Sequence, residues 1–189
     1  MDNQKPAEAE EKKEKKNPLW EFFSNVELLA VAAAIILLFF TFAARITVVE
    51  GGSMEHTLNG GDKLVISDLF YTPERGDIVI IQSPTVNKGE AIVKRIIALE
   101  GDTVEIKSSG VYVNGEKLQE TDGSLGYTVS AAPYNTQAPV KVGEGQVYVL
   151  GDNRGVSYDS RFFGPVDERA ILGRVLFRLT PFSEFGTVN

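Results

Sequence analysis

The chain has 189 residues, a formal net charge of -7, one histidine and no cysteine. The missing cysteine excludes a disulfide framework, a thiolate nucleophile and any Cys-based zinc or iron–sulfur site, while a single histidine excludes a multi-histidine metal cluster and allows a Ser-His-Asp triad only with His56 as its base. Residues 45–189 are acidic too, with 14 Lys and Arg against 19 Asp and Glu, so the basic stripe of a nucleic-acid binder is absent.

Residues 1–18 hold five lysines, five acidic side chains and little apolar surface, and read as a disordered tail. From Leu28 to Ala44 come 17 residues without charge, with only Thr41 polar. As a helix this run spans roughly 25 Å, near the lower limit for crossing a bilayer core. Trp20, Phe22 and Phe23 precede it, where interfacial aromatics belong. The run is apolar on all faces, unlike a buried amphipathic core helix. It is also longer than the roughly 7–15 residues of a signal-peptide core, and Phe42-Ala43-Ala44-Arg45 is a poor cleavage site. The expectation is an uncleaved anchor over 26–44, behind a tail over 1–25. Five lysines precede the anchor, and only Arg45 and Lys63 follow closely. The positive-inside rule then places the tail in the cytoplasm and residues 45–189 outside it.

All 18 glycines lie after residue 50, and the helical period disappears there. Short β-branched runs replace it, bounded by Gly, Pro, Asn and Asp. The expected strands are Ile46–Glu50, Lys63–Ser67, Asp77–Gln82, Ala91–Leu99, Thr103–Lys107, Val111–Val113, Gln146–Leu150 and Ala170–Leu179. Asn114-Gly115, followed by Glu116-Lys117-Leu118, signals a type I′ hairpin. Residues 119–145 read as a long loop or small insertion. The fold class is mainly β, one core of about 145 residues behind one membrane helix.

Three stretches carry chemistry. In Glu50-Gly51-Gly52-Ser53-Met54-Glu55-His56-Thr57-Leu58, two glycines let the backbone expose the serine hydroxyl; taken alone, a turn with a capping serine is the favoured reading. In Ile92-Val93-Lys94-Arg95-Ile96-Ile97, strand alternation puts Lys94 on the face of Ile92 and Ile96, and Arg95 on that of Val93 and Ile97. A lysine there either snorkels to water or is desolvated into a usable base; alone, snorkelling is favoured. The third stretch, Leu150 to Val166, is dense in hydrogen-bonding side chains directly after an apolar run. Asp152 and Asp159 lack the calcium-loop spacing, so no metal is expected.

Taken together, Ser53-Met54-x-x-Thr57-Leu58, Arg75-Gly76-Asp77-Ile78-Val79, Lys94-Arg95-Ile96-Ile97 with Gly101-Asp102, and Gly151-Asp152-Asn153-Arg154-x-x-Ser157-x-Asp159-Ser160-Arg161-x-x-Gly164 resemble bacterial type I signal peptidase in order and spacing. The resemblance covers about residues 25–180, and the last motif is its most specific part. It implies an antiparallel signal-peptidase-like β fold and a cofactor-free Ser–Lys dyad protease that removes signal peptides from exported preproteins after small residues. It assigns Ser53 as nucleophile and Lys94 as general base. Ser157 would orient the Lys94 amine, and Asp159 and Arg161 would form a supporting ion pair. Met54 would line the pocket for the small side chain before the cut, with Leu58, Ile92 and Val93 also at the substrate. The backbone N–H groups of Ser53 and Gly51 would hold the oxyanion. The implied partners are preproteins bearing signal peptides and membrane lipid, with no nucleic acid and no metal; the implied location is the bacterial cytoplasmic membrane, with a single pass.

Several positions depart from the family pattern. His56 stands where proline is usual, Gly51 where some members have Ser or Thr, and Ala98 and Glu100 replace Gly and Pro. Two alternatives are a specialised peptidase for pilin or surface-protein precursors and a non-catalytic, membrane-tethered β module. The lack of a DNA-binding region disfavours the related autoprotease of DNA-damage repressors. His56 at the fourth position of Ser53-Met54-Glu55-His56 breaks the S-x-x-K pattern of β-lactamases.

Overall fold

The structure is a computed structural model and describes residues 18–118 and 137–188. Residues 1–17 of the expected tail and residues 119–136 of the expected long loop lie outside the described residues.

Helix α1 runs from Pro18 to Ala43, 26 residues. It begins well before the expected anchor, because Pro18 supplies a favourable first helical position and the aromatic run after it continues the helix. The stretch Leu19–Leu38 is long and apolar enough to cross a membrane, with a mean hydropathy of 1.9. The Thr41 hydroxyl donates to the Leu37 carbonyl at 2.7 Å, so its one polar group is satisfied within the helix.

The remainder is β. A seven-stranded antiparallel sheet has the order β1 (Arg45–Val48), β2 (Lys63–Ser67), β11 (Ile171–Thr180), β3 (Ile78–Ile81), β4 (Ile92–Ala98), β9 (Gln146–Leu150) and β10 (Val166–Asp167). A four-stranded sheet has the order β7 (Glu116–Lys117), β6 (Gly110–Val113), β5 (Thr103–Lys107) and β8 (Val140–Lys141). Asn114 and Gly115 take φ of 54° and 84°, the left-handed pair that a tight β6–β7 hairpin requires. Strand β8 falls inside the expected loop: two residues carry too little periodicity to be read from sequence.

Strand β4 is the hub. It pairs with β3 on one side and β9 on the other, with Val79 opposite Lys94 and Leu150 opposite Arg95. Every residue from Val93 to Ala98 is buried. Val93 packs with Leu64, Ile78 and Ile80. Ile96 packs with Val79 and Val149, and Ile97 and Ala98 pack with Val104 and Tyr148. A register shift between Ile96 and Ala98 lets one strand serve these separate clusters. A lysine and an arginine in this strand therefore sit where the surroundings hold them rigidly.

Candidate active site

Ser53 and Lys94 meet. The Lys94 amine donates to Ser53 Oγ at 2.8 Å and to the Val93 carbonyl at 2.9 Å. Lys94 is 2% exposed, while Ser53 is half-buried. No carboxylate lies within ion-pair distance of the amine among the described residues. Burial is the main reason its pKa falls from 10.5 to about 8; the Asp159 charge partly offsets this, the Arg161 charge lowers it further, and the Asp152 charge raises it slightly. A neutral amine in this position can accept the Ser53 hydroxyl proton along the same 2.8 Å line.

A cleft of about 550 Å³ opens onto this pair. Thr47 and Val48 of β1 and Ile92, Val93 and Lys94 of β4 line it, together with Glu50, Gly51, Ser53 and Glu90. Ile92 and Val93 line this cleft. Met54 and Leu58 do not: both are buried in the core with Leu64, Ile66 and Val175, and neither lines the cleft. The reason is local. The Leu58 N–H donates to the Met54 carbonyl at 2.8 Å, a tight non-helical turn through His56 at φ 81° that leaves both Met54 and Leu58 buried.

The stretch after β9 grips this turn from below. Asn153 donates its backbone N–H to the Ser53 carbonyl and its side-chain amide to the Gly52 carbonyl, both at 3.0 Å. Asp152 is fully buried and takes two bonds from Arg95, at 2.9 Å from Nε and 2.7 Å from Nη2. It also accepts the Thr57 hydroxyl at 2.5 Å. Gly151 packs so closely that a Cβ would meet the Ser157 hydroxyl and would lie 2.5 Å from the Ser53 carbonyl oxygen.

Asp159 and Arg161 form a buried two-point ion pair, at 2.7 and 2.8 Å. Asp159 also accepts from the Gly151 N–H at 3.1 Å and caps the short helix α2 (Ser160–Phe163). Ser157 is a correction. Its buried hydroxyl makes no hydrogen bond among the described residues, and the expected bond to Lys94 is not formed. The hydroxyl packs over Gly151 instead. His56 is exposed at φ 81°, away from the amine contacts of Lys94. Sequence reasoning missed the Arg95–Asp152 pair and the Asn153 grip. Arg95 beside Lys94 in an apolar strand was the available signal, since a buried guanidinium demands a carboxylate partner.

Against this geometry, the sequence matches the family of signal peptidases, peptidase S26, over residues 22–180. The chain belongs to this family. It is 38% identical over 180 residues to a probable signal peptidase I-1 of Synechocystis sp., covering 90% of this chain and 89% of that relative. It is 35% identical over 175 residues to signal peptidase IB of Staphylococcus aureus, covering 84% of this chain and 90% of that one. A crystal structure of a signal peptidase I from Enterococcus faecalis superposes with a TM-score of 0.45 at 33% identity, covering 55% of this chain and 97% of the other. This S26 peptidase is a membrane-associated serine endopeptidase, and its substrates are precursors that carry signal peptides.

Proposed function

We propose that this peptidase works through Ser53 as nucleophile and Lys94 as its neutral general base. The observation that carries the reading is the 2.8 Å contact between a half-buried serine hydroxyl and a lysine amine withdrawn from water. A non-catalytic module would have no use for a buried amine in that contact. Ser53 Oγ bonds to the substrate carbonyl carbon as Lys94 takes its proton. The Ser53 and Gly51 N–H groups face the developing oxyanion. Collapse breaks the C–N bond, and Lys94 passes its proton to the leaving amine. Water, deprotonated by Lys94, then attacks the acyl carbon, and the bond to Ser53 Oγ breaks as Lys94 returns the proton to Oγ. The Asp159–Arg161 pair supports the site from behind by holding the Gly151 turn.

The precursor lies in the cleft as an added strand. Strand β1 is an edge of the large sheet and lines the cleft through Thr47 and Val48, which supports pairing of an extended segment there. The small side chains before the cut lie against Ile92 and Val93 of the cleft. The anchor over 26–44 crosses the bacterial cytoplasmic membrane once, with the tail over 1–25 in the cytoplasm and residues 45–189 outside, in line with the lysine bias. The test is cleavage of a preprotein, in detergent or lipid, by Ser53→Ala and Lys94→Ala. Loss in both is expected; retained turnover in either would sink the assignment.

A further inference from the structure

We propose that Asn153 is a positioning residue that sets the oxyanion geometry by pinning both peptide planes that flank Ser53. The proposal rests on the reading of Ser53 as nucleophile and goes beyond it. The Asn153 side-chain amide donates to the Gly52 carbonyl, and its backbone N–H donates to the Ser53 carbonyl, each at 3.0 Å. The first carbonyl belongs to the peptide plane before Ser53, and the second to the plane after it. In a trans peptide the C=O and the following N–H point in opposite directions. Drawing the Gly52 carbonyl toward Asn153 therefore turns the Ser53 N–H away from that loop. The Ser53 N–H donates to no group among the described residues, so it stands open to a substrate oxygen. The second proton of the Asn153 amide goes to Glu55 Oε2 at 3.0 Å, which fixes the rotation of the amide itself. Within the turn the Gly52 carbonyl also accepts the Glu55 N–H, at 3.2 Å, and the Asn153 amide adds a shorter hold from outside it.

The test is steady-state cleavage of a precursor peptide by full-length Asn153→Ala, beside Ser53→Ala as the control. Two probes separate positioning from general damage: a peptide aldehyde, whose hemiacetal oxygen takes the oxyanion position, and the same peptide with a reduced, uncleavable bond. The expected result is a fall in kcat of about 100-fold with KM within about threefold of the parent. Aldehyde affinity falls with kcat, reduced-bond affinity does not, and the pH midpoint of the reaction stays in place. A kcat within about threefold of the parent, or equal losses for both probes, would overturn the proposal. If Asn153→Ala loses cooperative unfolding, Glu55→Ala carries the test. It removes the Glu55 bond to the amide while leaving Asn153 in place, and should lower kcat about three- to tenfold at constant KM; an unchanged kcat overturns the proposal. Turnover by Ser53→Ala would instead overturn the nucleophile reading, and the proposal with it.

Discussion

Lys94 and Arg95 are consecutive in one strand and both almost fully buried, at 2% and 1% exposure, yet only Arg95 touches a carboxylate. Alternation sends them to opposite faces. On one face Asp152 neutralises the guanidinium; on the other the amine meets a serine hydroxyl and a carbonyl. The strand thus holds a permanent charge as a structural bolt beside an amine that burial pushes toward neutrality.

The Lys94 side has a cost. The folded amine titrates at about 8 and the unfolded one at 10.5, a difference of about 3 kcal/mol. Between these values the unfolded chain binds the extra proton, so stability rises with pH across that window. Below pH 8 the folded protein carries the full penalty. Lys94→Met should be inactive and, at pH 7, more stable by about 1–3 kcal/mol, after the loss of two hydrogen bonds is counted. The gain should shrink as pH rises from 8 to 10.5. Urea unfolding across this range checks it, and a flat or negative difference would be against it.

The Arg95 side behaves in the opposite way. Asp152→Asn keeps the shape but removes the carboxylate charge that faces the buried Arg95 guanidinium, and should destabilise by about 3–5 kcal/mol. The double variant Arg95→Met with Asp152→Leu should recover much of that loss in stability. Thermal unfolding of the three proteins measures both effects.

Two glycines in the same motif should differ sharply. At Gly151 a Cβ would press on Ser157 and on the Ser53 carbonyl oxygen, whereas at Gly155 nothing lies within 4 Å. Gly151→Ala should therefore lose most activity and at least about 2 kcal/mol of stability. Gly155→Ala should be near neutral, within about 0.5 kcal/mol. Precursor cleavage with unfolding of both variants makes the comparison.

His56 should tolerate removal but not the residue the family usually has. Its φ of 81° suits glycine and excludes proline, whose ring holds φ near -65°. His56→Gly should keep substantial turnover, and His56→Pro should lose stability by rebuilding the turn. Activity loss in His56→Gly comparable to that of Ser53→Ala would return His56 to the mechanism.

Much of this was legible in the sequence. The strands around Lys63–Ser67, Thr103–Lys107 and Gln146–Leu150 appear with their expected bounds, because β-branched alternation between turn residues is a local signal. The meeting of Ser53 with Lys94 came through family resemblance, since the two lie 41 residues apart and spacing alone cannot build a dyad. The inward turn of Met54 and Leu58 was not legible, because an irregular turn with His56 at φ 81° sets their direction. Nor was the pairing of Arg95 with Asp152, 57 residues away, which depends on strand register. The same holds for Ser157, whose hydroxyl is turned onto Gly151 by the loop's own packing.

The most direct measurement is the titration of Lys94 itself, followed by NMR on full-length protein with labelled lysine side chains, assigned through Lys94→Met. The expected midpoint is about 8, in step with an acidic limb of kcat/KM that climbs about tenfold per pH unit and levels above it. A midpoint near the ordinary 10.5 would contradict a neutral Lys94 as the base for Ser53.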